Sequence, residues 1–99
     1  MTQLAIFRLR GGDEFVCRLQ TDFGVETPYI LCAMVVPRAG WGALIPRLHL
    51  PFDLNGIPHL ILMTEIISIP AGDLGPVVGD AGNERDAVIR AVDLLVTGF

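Results

Sequence analysis

The chain has 99 residues, 52% of them apolar, and 11 acidic residues against 7 basic ones leave a net charge of −4. One domain fits in this length, with room for one modest core. The acidic balance argues against a dedicated nucleic-acid binder, which would carry a basic stripe, and the longest apolar run, 29–36, is far short of the ~20 residues a membrane helix needs. A mean hydropathy of +0.55 is high for so small a domain. Either the surface carries a large apolar patch or part of it is covered by a partner, and a second copy of the chain, the commonest arrangement, is expected. The N-terminus, MTQLAIFRLRGGDE, lacks a basic start followed by a long apolar stretch, so no signal peptide is expected. Cys17 and Cys32 lie within apolar segments and are expected as buried free thiols in a reducing cytoplasm. Every basic residue is Arg, the side chain suited to forked hydrogen bonds with carboxylates and to stacking at interfaces.

In chain order, LAIFRLR (4–10) and EFVCRLQ (14–20) flank Gly11-Gly12-Asp13. Phe15, Cys17 and Leu19 alternate with polar neighbours, which predicts a β-hairpin. TDFGVETP (21–28) is a loop carrying Phe23. YILCAMVV (29–36), bounded by Pro28 and Pro37, predicts a strand buried on both faces. PRAGWGALIPR (37–47) is a long irregular connection with at most one helical turn. LHLPF (48–52) and PHLILM (58–63) flank Asp53-Leu54-Asn55-Gly56, and Asn-Gly between apolar runs is a strong hairpin signal. TEIISIP (64–70) predicts a further strand, and AGDLGPVVGDAGN (71–83) a loop with a short turn.

A helix is expected only over 84–96, with Asn83 as N-cap, Glu84 and Asp86 in the first turn and a weak Asp86–Arg90 pair. Its polar positions Asp86, Arg90 and Asp93 occupy a narrow arc, leaving apolar residues over the other ~220°, where packing on one core needs a stripe of ~100° or a little more. This helix should therefore be covered from two sides, by the sheet and by a loop, a second subunit or another partner. Together these elements predict a mainly β fold, a small barrel or half-barrel with one C-terminal helix.

Residue types that carry chemistry are sparse. His49 and His59 lie on the two arms of the Asn-Gly hairpin, but no Cys, Asp or Glu stands beside them at metal-ligand spacing, and structural or solvent-exposed roles are expected. Ser68, the one serine, has no flanking elbow glycines to expose it as a nucleophile. Gly11-Gly12-Asp13 lacks the Lys and the following helix of a phosphate loop. Arg8, Arg10 and Arg18 flank the first turn and could meet a phosphate, as in small β ribonucleases, although a solvated hairpin face is the plainer expectation. No enzymatic activity, metal or cofactor is expected.

A set of residues spread over nearly the whole chain carries a family resemblance. Gln20-x-Asp22 and Thr27-Pro28 come first. Ser68-Ile69-Pro70 is followed by Leu74-Gly75, then by Arg85, Ile89, Ala91 and Leu94 on the helix, and Gly98-Phe99 ends the chain. In order and spacing these resemble the CcdB family, the gyrase-poisoning toxins of CcdA–CcdB toxin–antitoxin systems. The resemblance implies an SH3-like small barrel of antiparallel strands with a single C-terminal helix, of the CcdB/MazF-like kind. It also implies a cytoplasmic, non-enzymatic homodimer that inhibits a topoisomerase by binding the DNA gyrase A subunit through its C-terminal end. A CcdA-like antitoxin would neutralise it, and the complex would repress its own operon, meeting operator DNA only through the antitoxin. Carried over residue by residue, the gyrase-binding positions are Phe23, Asp93, Val96, Thr97, Gly98 and Phe99. Thr97 stands where the family has Trp, Asp93 where it has Asn, Val96 where it has an aromatic and Phe23 where Ile is usual. Two alternatives accompany this expectation: a CcdB-fold dimer that binds an antitoxin as co-repressor without poisoning gyrase, and a MazF-like ribonuclease toxin using the Arg8, Arg10 and Arg18 face.

Overall fold

The computed structural model describes residues 3–98. Strands β1 (Ala5–Leu9) and β2 (Phe15–Arg18) form the first hairpin, with Ile6 opposite Cys17 and Arg8 opposite Phe15. β3 (Tyr29–Pro37) runs antiparallel to β2. β4 (His49–Leu54) and β5 (Ile57–Pro70) form the second hairpin. Its turn is the Asn-Gly pair, Asn55 at φ 53° and Gly56 at φ 82°, the two left-handed positions that a type I′ turn requires. β6 (Leu74–Asp80) and helix α1 (Arg85–Thr97) complete the chain. All pairings are antiparallel, giving one six-stranded sheet in the order β4-β5-β3-β2-β1-β6.

Several sequence expectations are corrected. The segment 74–80 is a strand rather than a loop, paired with β1. Its Gly75, Pro76 and Gly79 depress strand propensity, but β6 is an edge strand, where Pro is tolerated because one side of its backbone has no neighbour. Two register shifts against β1 accommodate it. PHLILM and TEIISIP are not separate strands. They are one 14-residue strand, β5, interrupted where Ala33 faces Ile66 and Met34 faces Leu62, so that 63–65 have no partner on β3. Such an insertion bends a strand and re-aims its faces. β3 is buried on both faces only in its middle, since Tyr29 and Leu31 are exposed. The connection 38–48 folds as turns without a helix. Asn83 does not cap the helix: it lies within a 3-10 turn, Gly82–Glu84, and Glu84 holds the cap position without a side-chain bond. The turn's own backbone bonds, such as Glu84 N–H to Ala81 O at 2.8 Å, occupy that end instead. Asp86 and Arg90 form no ion pair among the described residues; the salt bridge there is Arg8–Asp13.

The sheet buries both faces. On one, Ile6, Cys17, Ala33, Val35, Ile61 and Met63 pack with Val88 and Ala91 of α1. On the other, Phe7, Val16, Ile30, Cys32, Ile69 and Leu74 form a second cluster. Strand alternation assigns neighbours such as Ile6 and Phe7, or Cys32 and Ala33, to opposite clusters. The sheet is coiled strongly enough that its two edges meet. Asn55 Nδ2 donates to Val78 O at 3.4 Å, joining the β4–β5 turn to β6. A Cβ on Gly79 would stand 2.7 Å from Leu54 Cδ1.

Candidate functional site

The end of α1 is built from the helix's own geometry. Ala87, Val88, Ala91 and Leu94 form its inward face. Ile89, Val92, Leu95 and Val96 recur at spacings of three and four on a neighbouring strip that the chain leaves exposed, Val96 at 77%. The expected second apolar side is thus present and uncovered. Composition and helical period signalled it, although Ile89, Val92 and Leu95 were not among the predicted site residues.

Asp93, Val96, Thr97 and Gly98 are brought together on the last turn and all are exposed. Thr97 Oγ1 donates to Asp93 O at 2.7 Å, so its hydroxyl is folded back onto the helix. Gly98 adopts φ 82°, ψ 13°, and its N–H donates to Leu94 O at 3.0 Å. This left-handed residue is the usual stop for a helix, and glycine adopts it without a Cβ penalty. The helix therefore terminates at Gly98. Phe99 lies outside the described residues.

Phe23 belongs to a different element, the loop between β2 and β3. Asp22 Oδ1 accepts from Gly24 N–H at 2.8 Å, an Asx-turn with Phe23 as its central residue, 62% exposed. Among the described residues no hydrogen bond joins this loop to α1. The structure thus assembles four of the six carried-over positions on one helix end and displays a fifth on an exposed turn elsewhere.

The three arginines of the first hairpin do not share a face. Arg8 pairs across the strands with Phe15, on the side of the sheet that carries α1, whereas Arg18 continues the opposite side behind Val16. Arg8 Nη2 is 2.7 Å from Asp13 Oδ1, and Arg10 Nε donates to Gly72 O at 2.9 Å. Arg18 is buried, with Nε and Nη2 donating to Gln20 O and Thr21 O.

The two histidines also lie on opposite faces of their hairpin, since His59 faces Phe52 while His49 faces Leu62 in the register. Both are buried and locally bonded. His49 Nδ1 accepts from Ile45 N–H at 3.0 Å, which leaves Nε2 as the protonated nitrogen facing Thr64 Oγ1. His59 Nδ1 lies 2.8 Å from Ile57 O. No group of three or more metal-ligating side chains occurs among the described residues.

Cys17 and Cys32 are free and buried, one in each cluster. Burial pushes the Cys17 thiol up to about 12, with Cys32 and Asp80 adding to the effect. Burial lifts Cys32 to about 11, against the pull of the Arg18 guanidinium. Both thiols are therefore protonated and poor nucleophiles near neutrality. Among the described residues no helix is long and apolar enough to cross a membrane. No protein-family model matches the chain, and no curated protein matches it.

Proposed function

We propose that this chain is a CcdB-like toxin: a homodimer with an SH3-like barrel core, neutralised by a small CcdA-like antitoxin, that binds the gyrase A subunit through the end of α1. The observation that carries this is the exposed apolar strip Ile89, Val92, Leu95 and Val96, running into a helix end turned aside by left-handed Gly98. A binding surface of this kind acts by burial and shape, and needs no nucleophile, base or metal. Phe23, held on its Asx-turn, supplies an aromatic side chain that loses little freedom on docking. Asp93 adds a negative charge at the helix end, which suits an arginine-bearing target.

Inducible expression in a host with wild-type gyrase tests this. Growth arrest with a DNA-damage response is expected, and deletion of Gly98-Phe99 is expected to abolish it while leaving a folded dimer. If the truncated chain stays toxic, the chain-end mechanism is wrong. Loss of messenger RNA with intact DNA would point instead to a ribonuclease. One observation favours a second reading, a dimer that binds its antitoxin as co-repressor without poisoning. Thr97, at the position of the family's Trp, spends its hydroxyl on Asp93 O and offers no ring to stack. That reading predicts no growth defect at all on expression.

A further inference from the structure

On the face of the sheet away from α1, a cavity of about 550 Å³ opens between the 22–27 loop and the 71–74 segment. Its apolar lining comes from Val25, Ile30 and Leu74, with Glu26 and Thr27 also on it, and Arg18 lines it too. Arg18 retains only 8% of its surface. Burying a guanidinium is costly unless the charge is compensated, yet Arg18 makes no salt bridge among the described residues. Its Nε and Nη2 are held by Gln20 O at 2.8 Å and Thr21 O at 3.4 Å. These two carbonyls orient the planar group without neutralising it. Nη1 has no hydrogen bond within the described residues, and none of their fully buried side-chain nitrogens or oxygens lacks a partner. Nη1 must therefore touch solvent, and the cavity is a space that Arg18 lines.

We infer that this cavity binds a carboxylate with a short aliphatic body, its head group on Arg18 and its body against Ile30, Leu74 and Val25. The forked donors of Arg match a carboxylate, and the apolar walls match the body. Asp22 and Glu26 also line the space. They oppose any anion, phosphate more strongly than a monocarboxylate, so the Arg18 guanidinium has to outweigh them; Asp22 Oδ1 is turned onto Gly24 N–H at 2.8 Å. The carboxylate could belong to a free small acid or to the C-terminus of an aliphatic-ended peptide. The cavity is distinct from the end of α1, although the loop on one side of it carries Phe23.

Titration of the full chain with hexanoate, followed by backbone amide NMR, tests the inference. Saturable shifts centred on residues 18–30 and 71–74 are expected, with half-saturation on the order of 10 mM or below. Hexanamide and inorganic phosphate should give none. Acetyl-Gly-Gly-Leu with a free carboxylate, compared with its C-terminal amide, separates the sources. Binding of this peptide at least about tenfold tighter than hexanoate assigns the site to a chain end, and the reverse order assigns it to a free acid. Arg18→Gln should abolish the shifts while the spectrum stays dispersed. If that variant does not fold, Val25→Trp, placed at an exposed rim position, should block uptake in an otherwise native chain. The inference is overturned if neither carboxylate binds, if hexanamide or phosphate binds as well as hexanoate, or if binding survives in a folded Arg18→Gln variant or in Val25→Trp.

Discussion

Gly75 and Gly79 show how single positions hold the coiled sheet together. A Cβ on Gly75 would lie 2.5 Å from the Arg8 carbonyl oxygen, whereas one on Gly79 would meet the end of the Leu54 side chain at 2.7 Å. Backbone on the paired strand cannot step aside without breaking the β1–β6 ladder, but a leucine methyl can rotate. Gly75→Ala is therefore expected to destabilise by about 1–3 kcal/mol, and Gly79→Ala by less, as read from urea unfolding midpoints. The thiols give a pH prediction. Their ordinary value is 9.0, but in the fold Cys17 keeps its proton to about 12 and Cys32 to about 11. Below pH 9 both folded and unfolded chains are protonated, and this contribution to stability is fully present. As pH rises, the unfolded chain loses its thiol protons first, so the contribution fades between 9 and the folded values. Urea midpoints should fall over that window, and Cys17→Ala should flatten part of the decline. An unchanged slope in the variant would remove the thiol from the account.

At the scale of the element, α1 has more apolar arc than its own sheet can use. Val88 and Ala91 satisfy the core, while Ile89, Val92, Leu95 and Val96 remain in solvent. If a second copy covers that strip, the wild type sediments as a dimer at micromolar concentration. Ile89→Asp with Val92→Asp, which spares the helix-end positions, should then give a monomer with unchanged circular dichroism, because both positions lie outside the core clusters. A wild-type monomer, or an unaffected dimer in the variant, would show that this strip is not the dimer contact. β6 teaches the opposite lesson about elements. Only Val77 and Val78 favour a strand locally in Leu74–Asp80, and it becomes one because β1 has a free edge beside it.

Across the whole molecule, the edges of the sheet approach each other through Asn55, Leu54, Val78 and Gly79. The fold thereby puts two small clusters on opposite faces of one sheet instead of building a single large core. With about a dozen large apolar side chains left exposed, the high mean hydropathy has a physical location: the α1 strip, the 22–31 region around Phe23, Val25, Tyr29 and Leu31, and isolated positions such as Ile57 and Val77.

What the sequence by itself determined is local. The Asn-Gly turn, the first hairpin, the strand at 29–36 and the span and over-wide apolar arc of α1 follow from turn chemistry and hydrophobic period, which act between near neighbours. That Asp93, Val96, Thr97 and Gly98 fall together at one helix end follows from the same helical period, whereas their role as a binding set comes only from the family resemblance. Only the tertiary structure decided the rest. It recruited β6, fused 57–70 into one bent strand, set His49 apart from His59 and Arg8 apart from Arg18, and formed an open cavity beside Arg18. Each of these depends on which face a residue takes after register shifts, and on pairing between segments far apart in the chain. No window of sequence encodes that, because the energy that fixes it is released only when the distant strands meet.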